Sequence, residues 1–195
     1  MHALLIIANP NPEGFSHAIA QRARTGLETA GHQVTVRDLY AENFRAAMSA
    51  DEHAAYHGDH PAIDPLVQDH ITDLERAQIL ILVYPTWWSG VPAILKGWFE
   101  RVMLPGVGFV FDDRHKVKPG LTQVRRLVGI STYGSPWAYV KATNDNGRRV
   151  LLRAMRLSTG LRTHSSWLAL YRMDTIGPDR RAAFLDRVEQ KMAQL

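Results

Sequence analysis

Two short runs of uninterrupted apolar residues, Ala3–Ala8 and Ile79–Tyr84, constrain this chain more than any other feature. Both fall far short of the roughly 20 residues a membrane-spanning helix needs. The first ends at once in Asn9-Pro10-Asn11-Pro12 and the second in Pro85. A strand reads as unbroken apolar sequence only when both of its faces are covered, the condition inside a parallel sheet flanked by helices. Between the runs, Phe15–Ala30 repeats Ile19, Ala23 and Leu27 at helical spacing and stops at Gly31, and Gln33–Leu39 alternates like a strand. The opening is therefore a β-loop-α-β crossover, which packs right-handed.

The same reasoning predicts helices over Leu66–Arg76, Pro92–Leu104, Arg148–Ser158 and Pro178–Gln194, and strands over Val124–Ser131 and Thr163–Tyr171. Pro92 suits a first helical turn, where its missing N–H is no loss. Tyr40–Pro65 has little periodicity and reads as short helical or irregular structure. Pro105–Gly120 reads as an excursion holding a hairpin-like segment at Gly108–Phe111. Five strands alternating with helices predict an α/β fold, a doubly wound five-stranded parallel sheet with helices on both faces. With no repeat, low-complexity stretch or linker, residues 1–195 read as one domain.

Composition removes several kinds of chemistry. The absence of cysteine excludes a disulfide framework, a thiolate zinc site and a cysteine nucleophile. A net charge of +4 is mild. The arginines at 148, 149, 153, 156 and 162 are explained by a solvated face or an anionic cofactor, and basic residues do not interleave with aromatics as base-stacking surfaces require, so no nucleic-acid partner is expected. His53, Tyr56, His57, Asp59 and His60 crowd together, with His70 further on. The His53/His57 pair has ligand spacing, but no cysteine or well-placed acid completes a site, so a solvated histidine-rich surface and no metal are expected. The start lacks a basic segment followed by a long apolar one, so a cytoplasmic protein without a signal peptide or membrane insertion is expected.

In open parallel sheets, ligands sit beyond the carboxyl ends of the strands, and three unusual loops emerge there. Asn9–His17 is neither a GxGxxG fingerprint nor a P-loop. Ser16 and His17 nevertheless stand at a helix N-terminus, where free N–H groups attract phosphate; a plain N-cap role for Ser16 is the alternative. Pro85–Val91 carries adjacent Trp87 and Trp88, whose side chains point opposite ways in an extended segment. A flat heteroaromatic ligand suits them; burial of both under the next helix is the alternative. In Ser131–Tyr139, small residues and Gly134 allow backbone N–H groups to approach a ligand, with a plain strand-to-helix turn as the alternative.

The run Trp87–Val102, WWSGVPAILKGWFERV, strongly resembles the NAD(P)H:quinone oxidoreductases of the flavodoxin-like class, once called DT-diaphorase. Asp38-Leu39-Tyr40 followed by Asn43-Phe44 resembles the same family, as does Asn9–His17 with its Phe15. The resemblance covers about residues 3 to 140 and is looser beyond. It implies a flavodoxin-like fold, a bound flavin with FAD favoured over FMN, NAD(P)H as co-substrate, a quinone-like acceptor reached by two-electron ping-pong hydride transfer, and a homodimer. Carried over by position, Phe15, Ser16 and His17 hold the phosphate region. Pro85, Thr86, Trp87 and Trp88 flank the isoalloxazine, with the Trp88 amide near its reactive nitrogen. Ser131, Thr132, Tyr133 and Gly134 hold the pyrimidine edge. Asn9 stands where the animal enzymes have histidine, and Tyr139 matches the active-site tyrosine. Asp145 stands where the family has the companion histidine, which speaks against a tyrosine–histidine relay. An electron carrier, an ancillary subunit of a bacterial potassium efflux system, and an azo- or nitroreductase are the rival readings.

Overall fold

A computed structural model describes residues 1–58 and 60–195; Asp59 of the histidine-rich stretch lies outside the described residues. The chain runs β1 (His2–Ile7), α1 (Phe15–Thr29), β2 (Gln33–Asp38), α2 (Ala50–Ala55), α3 (Pro65–Arg76), β3 (Ile79–Pro85) and α4 (Ala93–Val102). It continues through a small antiparallel pair, β4 (Phe109–Phe111) and β5 (Val117–Pro119), then β6 (Arg126–Thr132), α5 (Trp137–Ala142) and α6 (Asn146–Arg149). A π-helical turn (Val150–Met155) leads into α7 (Arg156–Thr159), β7 (His164–Leu170) and α8 (Pro178–Met192).

The five long strands form a parallel sheet in the order β2-β1-β3-β6-β7. The order reverses at β1, so β1 and β3 flank the switch point where ligands bind in doubly wound sheets. Both faces are buried, as the unbroken apolar runs require. Leu4, Ile6, Leu80, Leu82 and Tyr84 point into one core with Val67, Ile71, Leu95 and Trp98 of α3 and α4. Ala3, Leu5, Ile7, Ile79, Ile81 and Val83 point into the other with Ile19, Leu27, Phe184 and Val188 of α1 and α8. Gly31, just past α1, takes φ +77°, the left-handed geometry that ends a helix cleanly.

Three expectations change. The single helix expected over Arg148–Ser158 is α6, a π turn and α7 in series. The loop expected through Tyr139 closes at Pro136, where α5 begins; six residues are too few to show a period. His70 does not belong to the solvated histidine surface, because it is fully buried. Trp98 Nε1 donates to its Nδ1 at 3.0 Å, and its Nε2 therefore carries the hydrogen and donates to Glu42 at 2.8 Å. Among the described residues, no group of three histidine or acidic side chains is arranged to hold a metal, and no helix is long and apolar enough to cross a membrane.

Candidate active site

The carboxyl ends of β1, β3 and β6 deliver the three loops to one edge of the sheet. Register fixes their heights: Ile7 pairs with Val83, and Pro85 with Thr132.

The first loop is shaped by its own asparagines. The Asn9 side-chain oxygen Oδ1 accepts from the Asn11 backbone amide at 2.9 Å, and Asn11 Oδ1 from the Glu13 backbone amide at 3.1 Å. Gly14, not Ser16, is the N-cap of α1. Ser16 lies inside the first turn, 2% exposed, where its hydroxyl oxygen accepts from Asn9 Nδ2 at 2.9 Å. The plain-cap reading of Ser16 is therefore set aside: Pro12 and Gly14 start the helix earlier than the serine would. The Phe15 and Ser16 amides, first in the helix, find no backbone acceptor among the described residues. The Phe15 ring itself packs toward Phe184, with centroids 6.4 Å apart. His17 Nε2 sits 2.8 Å from Asp38 Oδ2, and its buried Nδ1 has no partner among the described residues.

The second loop is a four-residue turn. Trp87 and Gly90 exchange backbone hydrogen bonds of 3.2 and 3.0 Å, while Trp88 and Ser89 take φ +48° and +56°. Two consecutive positive φ values mark a type I′ arrangement. Neither residue is glycine, so the turn carries strain of the kind concentrated at ligand sites. The geometry excludes burial of both indoles: Trp87 is 43% and Trp88 102% exposed. The Trp88 and Ser89 amides have no acceptor among the described residues, whereas the Thr86 amide is occupied by the Thr132 carbonyl at 2.8 Å.

The third loop starts from buried Ser131 and Thr132. Ser131 Oγ and Thr86 Oγ1 are hydrogen bonded at 2.8 Å, locking the second loop to the third. The Tyr133 amide donates to the Leu170 carbonyl at 2.9 Å, and its ring stacks on Tyr171 with centroids 4.9 Å apart. A Cβ at Gly134 would stand 2.5 Å from Asp174 Oδ2, so a larger residue here would have to displace that exposed carboxylate. Asp145 is buried at a left-handed corner, φ +48°, and accepts from the Tyr133 hydroxyl at 2.8 Å. Burial, followed by this carboxylate, raises the Tyr133 phenol and keeps it protonated.

A cavity of about 280 Å³ opens between the second and third loops. It gathers the expected Thr86, Trp88, Tyr133, Gly134 and Tyr139, together with Asp145. Asn9, Phe15, Ser16, His17, Pro85, Trp87, Ser131 and Thr132 do not line it; the first four belong to the loop after β1 and the start of α1. Ser89, Val140 and Thr143 also line the cavity and were not singled out from sequence. Ser89 was readable from its place between Trp88 and Gly90; Thr143, four residues after Tyr139, needed α5 to be known.

These residues fit a flavin. Open amides and an unpartnered His17 Nδ1 at the α1 N-terminus suit its phosphate end. Open amides at Trp88 and Ser89, beside exposed indoles, suit the polar edge and face of its ring.

The whole chain, residues 1–195, matches the family model described as a flavodoxin-like fold. It belongs to that flavodoxin-like family. It is 36% identical over 136 residues to an uncharacterized NAD(P)H oxidoreductase of Haemophilus influenzae, covering 69% of this chain and 65% of the relative. It is 30% identical over 152 residues to NAD(P)H dehydrogenase (quinone) 1 of Rattus norvegicus, covering 70% of this chain and 55% of the relative. The chain thus spans between about half and two thirds of the length of these curated relatives. The NAD(P)H:quinone oxidoreductase from Methanothermobacter marburgensis superposes with a TM-score of 0.83 at 25% identity, covering 99% of this chain and 98% of that one.

Proposed function

We propose that this flavodoxin-like protein is an NAD(P)H:quinone oxidoreductase that works through a bound flavin, FAD in preference to FMN. The observation that carries the reading is the Trp87–Gly90 turn. It holds two amides without an acceptor among the described residues and a fully exposed indole on a cavity between the loops that follow β3 and β6. The net reaction is NAD(P)H plus quinone plus a proton giving NAD(P)⁺ and hydroquinone. A bound flavin supplies the capacity to take two electrons from the nicotinamide and release them to the quinone. The chain's part is to bind, orient and donate hydrogen bonds. The Phe15 and Ser16 amides hold the phosphate end, the Trp88 and Ser89 amides the polar edge of the ring, and Trp87 and Trp88 its apolar surroundings. Tyr139, 55% exposed on the cavity wall, donates its hydroxyl hydrogen to the acceptor oxygen as charge develops there. Asp145 is held by Tyr133 and cannot stand in for a relay histidine, so Tyr139 recovers its proton from solvent.

The same reading includes a homodimer. Phe111, Val117, Leu157 and Leu161 are exposed on neighbouring β4, β5 and α7 or just beyond it, an apolar surface that a second copy would cover.

The visible spectrum of the purified protein tests the flavin, and chromatography of the released cofactor tests its identity. A protein that stays colourless and gains no heat stability with FAD or FMN overturns the reading. Steady-state kinetics with NAD(P)H and a small quinone should give parallel double-reciprocal lines, since one open cavity admits one planar partner at a time. Intersecting lines would favour a separate acceptor site or an electron-carrier role. Light scattering of the eluted protein decides the dimer.

A further inference from the structure

A second cavity, about 220 Å³, shares Asp145 with the first and is walled by Lys141, Arg148, Arg149 and Arg153. Four cations there face a single carboxylate, which Tyr133 already engages at Oδ1. Lys141 Nζ and Arg148 Nη1 approach its Oδ2 at 3.4 and 3.9 Å. Arg149 and Arg153 make no ion pair among the described residues. They stand four residues apart, where like charges on a helix repel and weaken it. Arg148 Nε is buried and lacks a partner among the described residues. The π turn, a rare form concentrated at functional sites, begins directly after Arg149 and contains Arg153. A merely solvated basic face requires neither a cavity, nor a buried unpaired guanidinium nitrogen, nor a wall in common with the site of chemistry.

Guanidinium forks are suited to phosphate, which they bind bidentately. The flavin's phosphate has its own open amides at the start of α1, on the loop after β1. Resting on the reading of the first cavity as the place where nicotinamide reacts, we propose that the second cavity holds the phosphate-bearing part of the reductant. A dinucleotide whose nicotinamide enters beside Tyr139 then extends past Asp145, with its phosphates among Arg148, Arg149 and Arg153. Lys141 and Arg148 remain close to Asp145, while Arg149 and Arg153 are the free cations that discriminate.

The test compares the flavin-loaded wild type with the double variant Arg149→Gln/Arg153→Gln, using NADPH, NADH and dihydronicotinamide riboside, which has no phosphate. In the variant KM for the dinucleotide should rise roughly tenfold, the loss expected of charge-assisted hydrogen bonds at a partly open site. kcat, and both constants for the riboside, should stay unchanged, because the lost contacts bind ground state and transition state alike. A rise for both NADH and NADPH places the pyrophosphate in the cavity, and a rise confined to NADPH places the 2′-phosphate there. An unchanged KM for both dinucleotides overturns the proposal, and so does an equal rise for the riboside. Loss of flavin absorbance from the variant also overturns it, by assigning the cations to the cofactor. Calorimetric titration with adenosine 2′,5′-bisphosphate keeps the two readings separate: binding to the wild type but not to the variant supports the anion subsite even if none of the three reductants is oxidised, and equal or absent binding to both refutes it.

Discussion

Tyr133 donates its hydroxyl hydrogen to Asp145 Oδ1 across 2.8 Å, joining the loop after β6 to the left-handed corner between α5 and α6. The corner is costly in itself, since Asn144 and Asp145 both take positive φ, +73° and +48°. Tyr84, also buried, contributes its phenol to the same neighbourhood. Burial, with the Asp145 charge added, keeps that phenol protonated as well. The corner is thus held by a donor that does not titrate over the working range of the protein.

Replacing that donor should be felt in stability. Tyr133→Phe leaves the Asp145 carboxylate, 5% exposed, short of a hydrogen bond. The expected loss is about 1–3 kcal/mol, the usual cost of an unsatisfied buried acceptor. Chemical denaturation measures it. An unchanged unfolding midpoint would show that Lys141 and Arg148 satisfy the carboxylate unaided.

Trp88→Ala should separate function from folding. The side chain is fully exposed, so stability should stay within about 0.5 kcal/mol of wild type. Flavin retention and kcat/KM for the quinone should both fall. A variant that retains flavin and reduces quinone as fast as wild type would remove the indole from the site.

Arg101 is buried, 2% exposed, and ties the segment after β2 to α4. It donates to Glu52 Oε1, to Asp64 Oδ2 at 2.6 Å and to the Arg45 carbonyl, and lies 5.0 Å over the Phe44 ring. Arg101→Ala leaves Glu52 Oε1 without its donor, while Oε2 keeps Arg45 and the Ser49 amide, and should destabilise by about 2–3 kcal/mol. Thermal or urea unfolding reads this directly, and a loss below about 1 kcal/mol would mean that water replaces the guanidinium.

The same cluster makes the protein acid-sensitive. Burial pushes the Glu52 and Asp64 carboxyls up. In Glu52, hydrogen bonds from Ser49 and Arg101 outweigh it, and in Asp64 those from Arg101 and Leu66 do, so both end below their ordinary values of 4.5 and 3.8. A carboxyl lowered in the folded state stabilises fully above its unfolded value and loses that contribution as pH falls through the folded one. Stability should hold from neutrality to about pH 5 and decline below. Substituting Glu52→Gln should flatten that decline; an acid limb of the same slope in wild type and variant would place the titration elsewhere.

Much of this architecture was legible because β1 and β3 are covered on both faces, and only unbroken apolar sequence survives there. The double-tryptophan turn was legible for the opposite reason: large apolar side chains in a loop have no core to enter. What stayed hidden depends on partners far away in sequence. Nothing around Arg101 reveals Glu52 and Asp64, 49 and 37 positions back, and nothing around His70 reveals the Trp98 indole 28 positions on. The start of α1 at Phe15 was legible, but a cap at Ser16 stood as an alternative because serine is the better capping residue in isolation, while Gly14 is where the proline-rich loop turns. The π turn was invisible because Leu151 and Met155, its buried residues, keep a spacing that an α-helix shares.

The turn from Trp87 to Gly90 separates two kinds of inheritance. Its shape is kept by reciprocal backbone bonds between its first and last residues, so the direction of the amides at 88 and 89 does not depend on which side chains they bear. The indole of Trp88 is fully exposed, so packing does not fix its identity, although the left-handed backbone still disfavours branched side chains there. Position 88 can therefore vary in bulk and polarity at the cavity while the backbone donors of the turn stay where they are.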